Sequence, residues 1–130
     1  MTQHINPPQL SKPTGYTHVV ESAAGKTIYI SGQIAFDQNG AIVGQGDFRA
    51  QAVQVFENLK AALSSAGANF AQVVKITSFI TDMKHAAILR EVRSGYLGAE
   101  PPASTLVQIA GLVHPDLMIE IEAIAVLETR

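Results

Sequence analysis

Leu117-Met118-Ile119-Glu120-Ile121-Glu122-Ala123-Ile124-Ala125-Val126-Leu127 is the stretch whose reading decides the fold. Leu117, Ile119, Ile121, Ala123, Ala125 and Leu127 alternate, and the two-residue period of a β-strand puts them on one face. That face must pack against something, and amphipathic helices are the natural cover. The other face carries Met118, Glu120, Glu122, Ile124 and Val126. A face turned to water does not normally read so apolar. Either the strand is central with a partly covered outer face, or a second subunit covers that face.

Working outward, His114-Pro115-Asp116 makes the turn before this strand, and Ser104–Ala110 reads as the strand before the turn. Pro101-Pro102 blocks helix continuation ahead of it. Asp82 can cap a helix running to about Leu97, with Leu89, Val92 and Tyr96 on its buried face. Val73–Thr81 is rich in β-branched residues and reads as a strand. The clearest helix is Asp47–Ala66, where Phe48, Ala52, Val55, Phe56, Leu59, Leu63 and Ala66 form one apolar stripe. Asp47 suits its N-cap and Gly67 its C′ position. Near the N-terminus, Tyr16–Glu21 and Lys26–Ser31 read as strands joined by Ser22-Ala23-Ala24-Gly25, and Asp37-Gln38-Asn39-Gly40 is a further turn. The order ββ(β)αβαββ predicts an α+β domain with two helices over one face of the sheet.

The chain has 130 residues, enough for one domain spanning 1–130 with an extended segment at 1–13. It is 47% hydrophobic and only 15% charged, against about 25% charged in an average globular chain. So apolar a surface fits a partner-covered one. The formal charge of −2 and the lack of a basic run argue against nucleic acid as a partner. With no cysteine, thiol chemistry and thiolate-bound zinc are excluded. His4, His18, His85 and His114 lack ligand-like spacing, so no metal is expected. Gly44-Gln45-Gly46 matches neither a P-loop nor a dinucleotide fingerprint, and no serine has a G-x-S-x-G context. Met1–Pro13 lacks the apolar core of a signal peptide, and no stretch of about 20 apolar residues would span a membrane. A cytoplasmic location is the expectation, with no membrane partner.

Four segments together resemble the Rid (reactive intermediate deaminase, YjgF-like) family. They are Tyr29-Ile30-Ser31-Gly32-Gln33-Ile34, Gln51–Gly67, Val73–Asp82 and Ile119–Val126. The resemblance implies a chorismate-mutase-like fold, with a mixed sheet of about six strands and two helices. It implies a homotrimer around a central barrel, and ligand clefts at the subunit interfaces. Active members hydrolyse enamines and imines to 2-oxo acids and ammonia without a cofactor.

The resemblance also assigns roles. Glu120 matches the carboxylate that positions the attacking water, as general acid or base. Tyr16 and Gly32 match cleft positions, and for Gly32 a backbone-geometry role is the simpler reading. Pro102-Ala103-Ser104-Thr105 aligns with a Pro-Ala-Arg-Ser sequence whose arginine holds the substrate carboxylate. Here Ser104 takes the arginine's place and can donate only one neutral hydrogen bond. Thr105 follows in the substrate-binding set. Arg90, or Arg93 one turn on, could supply a cation from the second helix, although exposed, solvated arginine is the common case. The expected function is hydrolysis or binding of a small imine- or enamine-type metabolite, with 2-aminoacrylate turnover weakened by Ser104. A non-catalytic binding or regulatory trimer is the alternative.

Overall fold

In chain order the elements are β1 (Gln3–Ile5), β2 (Val19–Glu21), β3 (Gly25–Gln33), α1 (Phe48–Ser65), β4 (Val73–Ile80), α2 (Ala86–Ser94), β5 (Ala103–Gln108) and β6 (Ile119–Glu128). The computed structural model describes residues 2–129; Met1 and Arg130, the ends of the expected 1–130 domain, lie outside the described residues. The fold is α+β, with two helices and a mixed sheet. Among the described residues six strands form two sheets: a four-stranded sheet ordered β3-β6-β4-β5 and a two-stranded ribbon of β1 with β2.

The decisive segment lies inside the larger sheet. β6 pairs antiparallel with both β3 and β4, while β4 pairs parallel with the edge strand β5. Ile119, Ile121, Ala123 and Ala125 are buried, as the alternation requires. They pack with Val55, Phe56, Leu59 and Leu63 of α1, and with Leu89 of α2. Asp47 caps α1 by accepting a hydrogen bond from the Ala50 N–H at 3.1 Å. Gln51, completely buried on the same helix, ties α1 to the approach to β6. Its Nε2 donates to the carbonyls of Gly44 (3.1 Å) and Asp116 (2.8 Å), and its Oε1 accepts from the Met118 N–H (2.9 Å).

Three expectations are corrected. Tyr16–Glu21 is not a strand of the main sheet: only Val19–Glu21 is extended, and it pairs with Gln3–Ile5, so the segment 1–13 itself contains a strand. That pairing spans a long loop, and nothing in the local pattern announces it. The second helix neither starts at Asp82 nor reaches Leu97. Asp82 caps a single 3₁₀ turn, Met83–His85, accepting from the Lys84 N–H at 2.9 Å. That bond also holds its carboxyl below the usual range. At the other end the N–H groups of Tyr96 and Leu97 both close on the Arg93 carbonyl at 3.0 Å, ending α2 at Ser94.

Candidate functional site

Glu120 and Gly32 are brought together. β3 is irregular where it passes β6: Ile30 is in register with Ala123, but Gln33 with Ile121, so β3 carries one extra residue there. Gly32 sits in this bulge. A Cβ on it would lie 2.7 Å from Glu120 Cδ, closer than side-chain contacts allow. The glycine is required by the close approach of the Glu120 carboxylate, not by a left-handed backbone, since its φ is not positive. Glu120 is half-buried and accepts no hydrogen bond from any described residue. A carboxylate so placed has its acceptor capacity free.

Glu120 opens onto the sheet face away from the helices. Register places Phe79 of β4 beside it, and Glu122, Thr77 and Thr105 form the next row across β6, β4 and β5. The Lys75 Nζ donates to Thr105 Oγ1 at 2.7 Å. A shallow cavity of about 200 Å³ on this face is lined by Tyr29, Ser31, Lys75, Thr77, Glu122 and Ile124. Ser104 is in register with the buried Ile76, so it shares the helix-facing side of the sheet. Within one chain, Ser104 and Glu120 therefore lie on opposite faces with β4 between them.

Tyr16, Arg90 and Arg93 meet elsewhere, in a cavity of about 820 Å³ between α2 and the N-terminal arm. The arm is held there by Thr17, whose N–H donates to the Pro102 carbonyl at 3.1 Å and whose hydroxyl donates to the Pro101 carbonyl. Tyr16 packs edge-on against His18 with ring centroids 5.2 Å apart. Arg93 is only 8% exposed as a residue, while its guanidinium nitrogens still reach the cavity. A Cβ on Gly15 would lie 2.9 Å from Arg93 Nη2, and the arm passes over the guanidinium because Gly15 has none. Burial, and secondarily the charge of Arg90, lowers the pKa of Arg93. On the same cavity wall, His4 Nδ1 approaches Glu100 Oε2 at 3.1 Å without the alignment of a hydrogen bond.

Sequence reasoning missed Tyr29 and Lys75 on the open face. The alternation Lys75, Thr77, Phe79 in β4 carried the signal for Lys75, because these positions must oppose the buried Ile76 and Ile80. It also missed Gly15, for which the sequence holds no signal. Among the described residues no cluster of three or more His, Asp or Glu could hold a metal ion, and no helix is long and apolar enough to cross a membrane.

Comparison with known proteins supplies the remaining context. The family model described as endoribonuclease L-PSP matches residues 8–127. The protein DfrA of Myxococcus xanthus is 42% identical over 123 residues, covering 94% of this chain and 93% of DfrA. A crystal structure of the conserved Rid-family protein YyfB from Yersinia pestis superposes with a TM-score of 0.90 at 37% identity, over 97% of this chain and 98% of that one. The structure of E. coli TdcF with bound serine superposes with a TM-score of 0.73 at 36% identity, over 82% of this chain and 85% of TdcF.

Proposed function

From the premise that the chain belongs to the Rid/YjgF family, we propose that it hydrolyses small imines or enamines in clefts between the subunits of a homotrimer. The observation that carries this reading is the Glu120 carboxylate, set against Gly32 in the β3 bulge with no hydrogen-bond donor among the described residues. In this reaction Glu120 takes a proton from water as the water oxygen adds to the imine carbon. Glu120 returns that proton to nitrogen to complete the carbinolamine, then carries the carbinolamine hydroxyl proton to nitrogen as the C–N bond breaks, so that ammonia leaves a carbonyl product; an enamine enters this sequence as its imine tautomer. The Gly32 backbone and Thr105 contact the substrate, and Ser104 offers a hydroxyl where active relatives carry a guanidinium. The trimer is part of the proposal, since one chain leaves the open face uncovered and Ser104 apart from Glu120. The serine bound to TdcF is a ligand of the expected size.

The test generates 2-aminoacrylate in situ from serine with a dehydratase and follows pyruvate release. We expect release faster than the spontaneous rate, and return to that rate in Glu120→Gln. No acceleration, combined with stabilisation of the protein by a small 2-oxo acid, would replace hydrolysis by the second reading. That reading, a binding or regulatory trimer, is favoured by the exchange to Ser104, which removes a fixed positive charge. RNA cleavage, which the family description suggests, fits poorly with 9 basic against 11 acidic side chains.

A further inference from the structure

The Asp37-Gln38-Asn39-Gly40 turn has no part in the proposed reaction, yet it carries a reactive pair. Phe36 and Ile42 bridge across it, and Asn39 and Gly40 are exposed at its tip. Asn39 precedes a glycine, whereas Asn6, Asn58 and Asn69 precede Pro7, Leu59 and Phe70. Its side chain also differs from theirs. The Asn6 Oδ1 accepts from the His18 N–H, the Asn58 Nδ2 donates to the carbonyls of Ile34 and Phe36, and the Asn69 Oδ1 accepts from the Ala71 N–H. The Asn39 side-chain amide bonds to no described residue. A Cβ built on Gly40 would meet nothing within 4 Å, so the space around its nitrogen is open. Asp37 restrains this pair. Its carbonyl accepts from the Gly40 N–H at 3.0 Å, and its Oδ1 accepts from the N–H groups of Asn39 at 2.9 Å and Ala41 at 3.0 Å. A Gly40 nitrogen engaged in this way keeps its proton and is not free to swing towards the Asn39 amide carbon. The nearby carboxylate charge also opposes a negative amide nitrogen.

We propose that Asn39 is a modification site, where deamidation through Gly40 replaces the amide by a carboxylate, and that Asp37 is the positioning residue that sets its rate. The Gly40 nitrogen loses its proton to solvent base and attacks Asn39 Cγ. The N–Cγ bond forms, the Cγ–Nδ2 bond breaks, and Nδ2 takes a proton from solvent and leaves as ammonia. Water then opens the cyclic imide at either carbonyl, giving aspartate or isoaspartate. One water enters and one ammonia leaves, with no change of oxidation state. In isoaspartate the main chain runs through the side-chain carbonyl carbon, so the hairpin tip gains a methylene group. The new charge stands beside Asp37, in the hairpin that lines a cavity of about 360 Å³ with Gly32 and Asn58. The inference does not depend on imine turnover.

The test incubates the full, folded chain in mildly alkaline buffer made with heavy-oxygen water and maps its peptides by mass spectrometry. We expect heavy oxygen to enter at Asn39 ahead of Asn6, Asn58 and Asn69, with isoaspartate among the products. Asp37→Ala loses the two bonds to Oδ1 and should react about tenfold faster. The urea-unfolded wild type should react at least as fast as that variant. Asp37→Ser, whose hydroxyl can still accept, should fall between wild type and Asp37→Ala. A folded wild type that takes up no label at Asn39, over a period in which the unfolded chain reacts fully, would overturn the site. So would earlier labelling of another asparagine. An Asp37→Ala protein that keeps its circular-dichroism spectrum and reacts no faster than wild type would sink the role given to Asp37.

Discussion

Gly32 and Gln51 show what single positions contribute, one to the candidate site and the other to stability. Adding a methyl group at Gly32 does not threaten a left-handed backbone; it displaces the flexible end of Glu120. Gly32→Ala is therefore expected to keep its circular-dichroism spectrum and melting temperature nearly unchanged. Its hydrolytic rate should fall about a hundredfold or more, towards that of Glu120→Gln. A fully active Gly32→Ala would show that the Glu120 position does not matter. Gln51 acts on stability. Gln51→Leu leaves the carbonyls of Gly44 and Asp116 and the N–H of Met118 without their partner. We expect a loss of about 2–4 kcal/mol in urea denaturation, because buried polar groups stripped of partners carry their desolvation cost.

The two helices are joined by polar and aromatic contacts whose strength depends on pH. Tyr96, just past α2, donates its hydroxyl to Glu57 Oε2 of α1 at 2.7 Å and stacks on Phe56 at 4.9 Å. Burial first, then the Glu57 hydrogen bond and charge, pushes the Tyr96 pKa from 10.0 to about 12. A phenol with a raised folded-state pKa adds stability that is complete below the unfolded value and is lost as pH climbs through the folded one. The wild type should therefore lose stability between about pH 10 and 12, and Tyr96→Phe should lose less over that window. Melting temperatures at pH 8, 10 and 11.5 check this; parallel losses in both proteins would refute it. At the start of α1, Asp47→Ala removes the N-cap bond to Ala50 and should cost about 1 kcal/mol by the same denaturation measurement.

The molecule as a whole has one sheet face under the helices and one open. On the open face Tyr29 is 78% exposed and Val107 38%, in company with Ile124 and Phe79. Mixed with Glu120, Glu122 and Lys75, these suit a face that is apolar enough to associate and polar enough to choose its partner. On the proposed homotrimer, sedimentation velocity should give three times the chain mass. Ile124→Glu should shift the distribution to monomer while the far-ultraviolet spectrum is retained. A monomeric wild type would remove the intersubunit cleft, and with it the proposed approach of Ser104 towards a neighbouring Glu120.

Leu117–Leu127 could be read because its period is local: alternate side chains of a strand must part to two faces, whatever the fold. The same holds for the α1 stripe, with its Asp47 cap, and for the β-branched run at Val73–Ile80. The sequence thus determined these three elements, their burial faces and the α+β class. The ribbon of Gln3–Ile5 with Val19–Glu21, the parallel edge of β5 and the passage of Gly15 over Arg93 depend on residues far apart in the chain. So do the depth of Arg93 and the contact of Gly32 with Glu120. An arginine written on a helix looks solvated until another segment folds over it. A glycine in a strand has no visible reason until the side chain it makes room for comes in from the neighbouring strand. Those contacts are set by tertiary packing, and the Glu120 site and the α2 cavity are built from them.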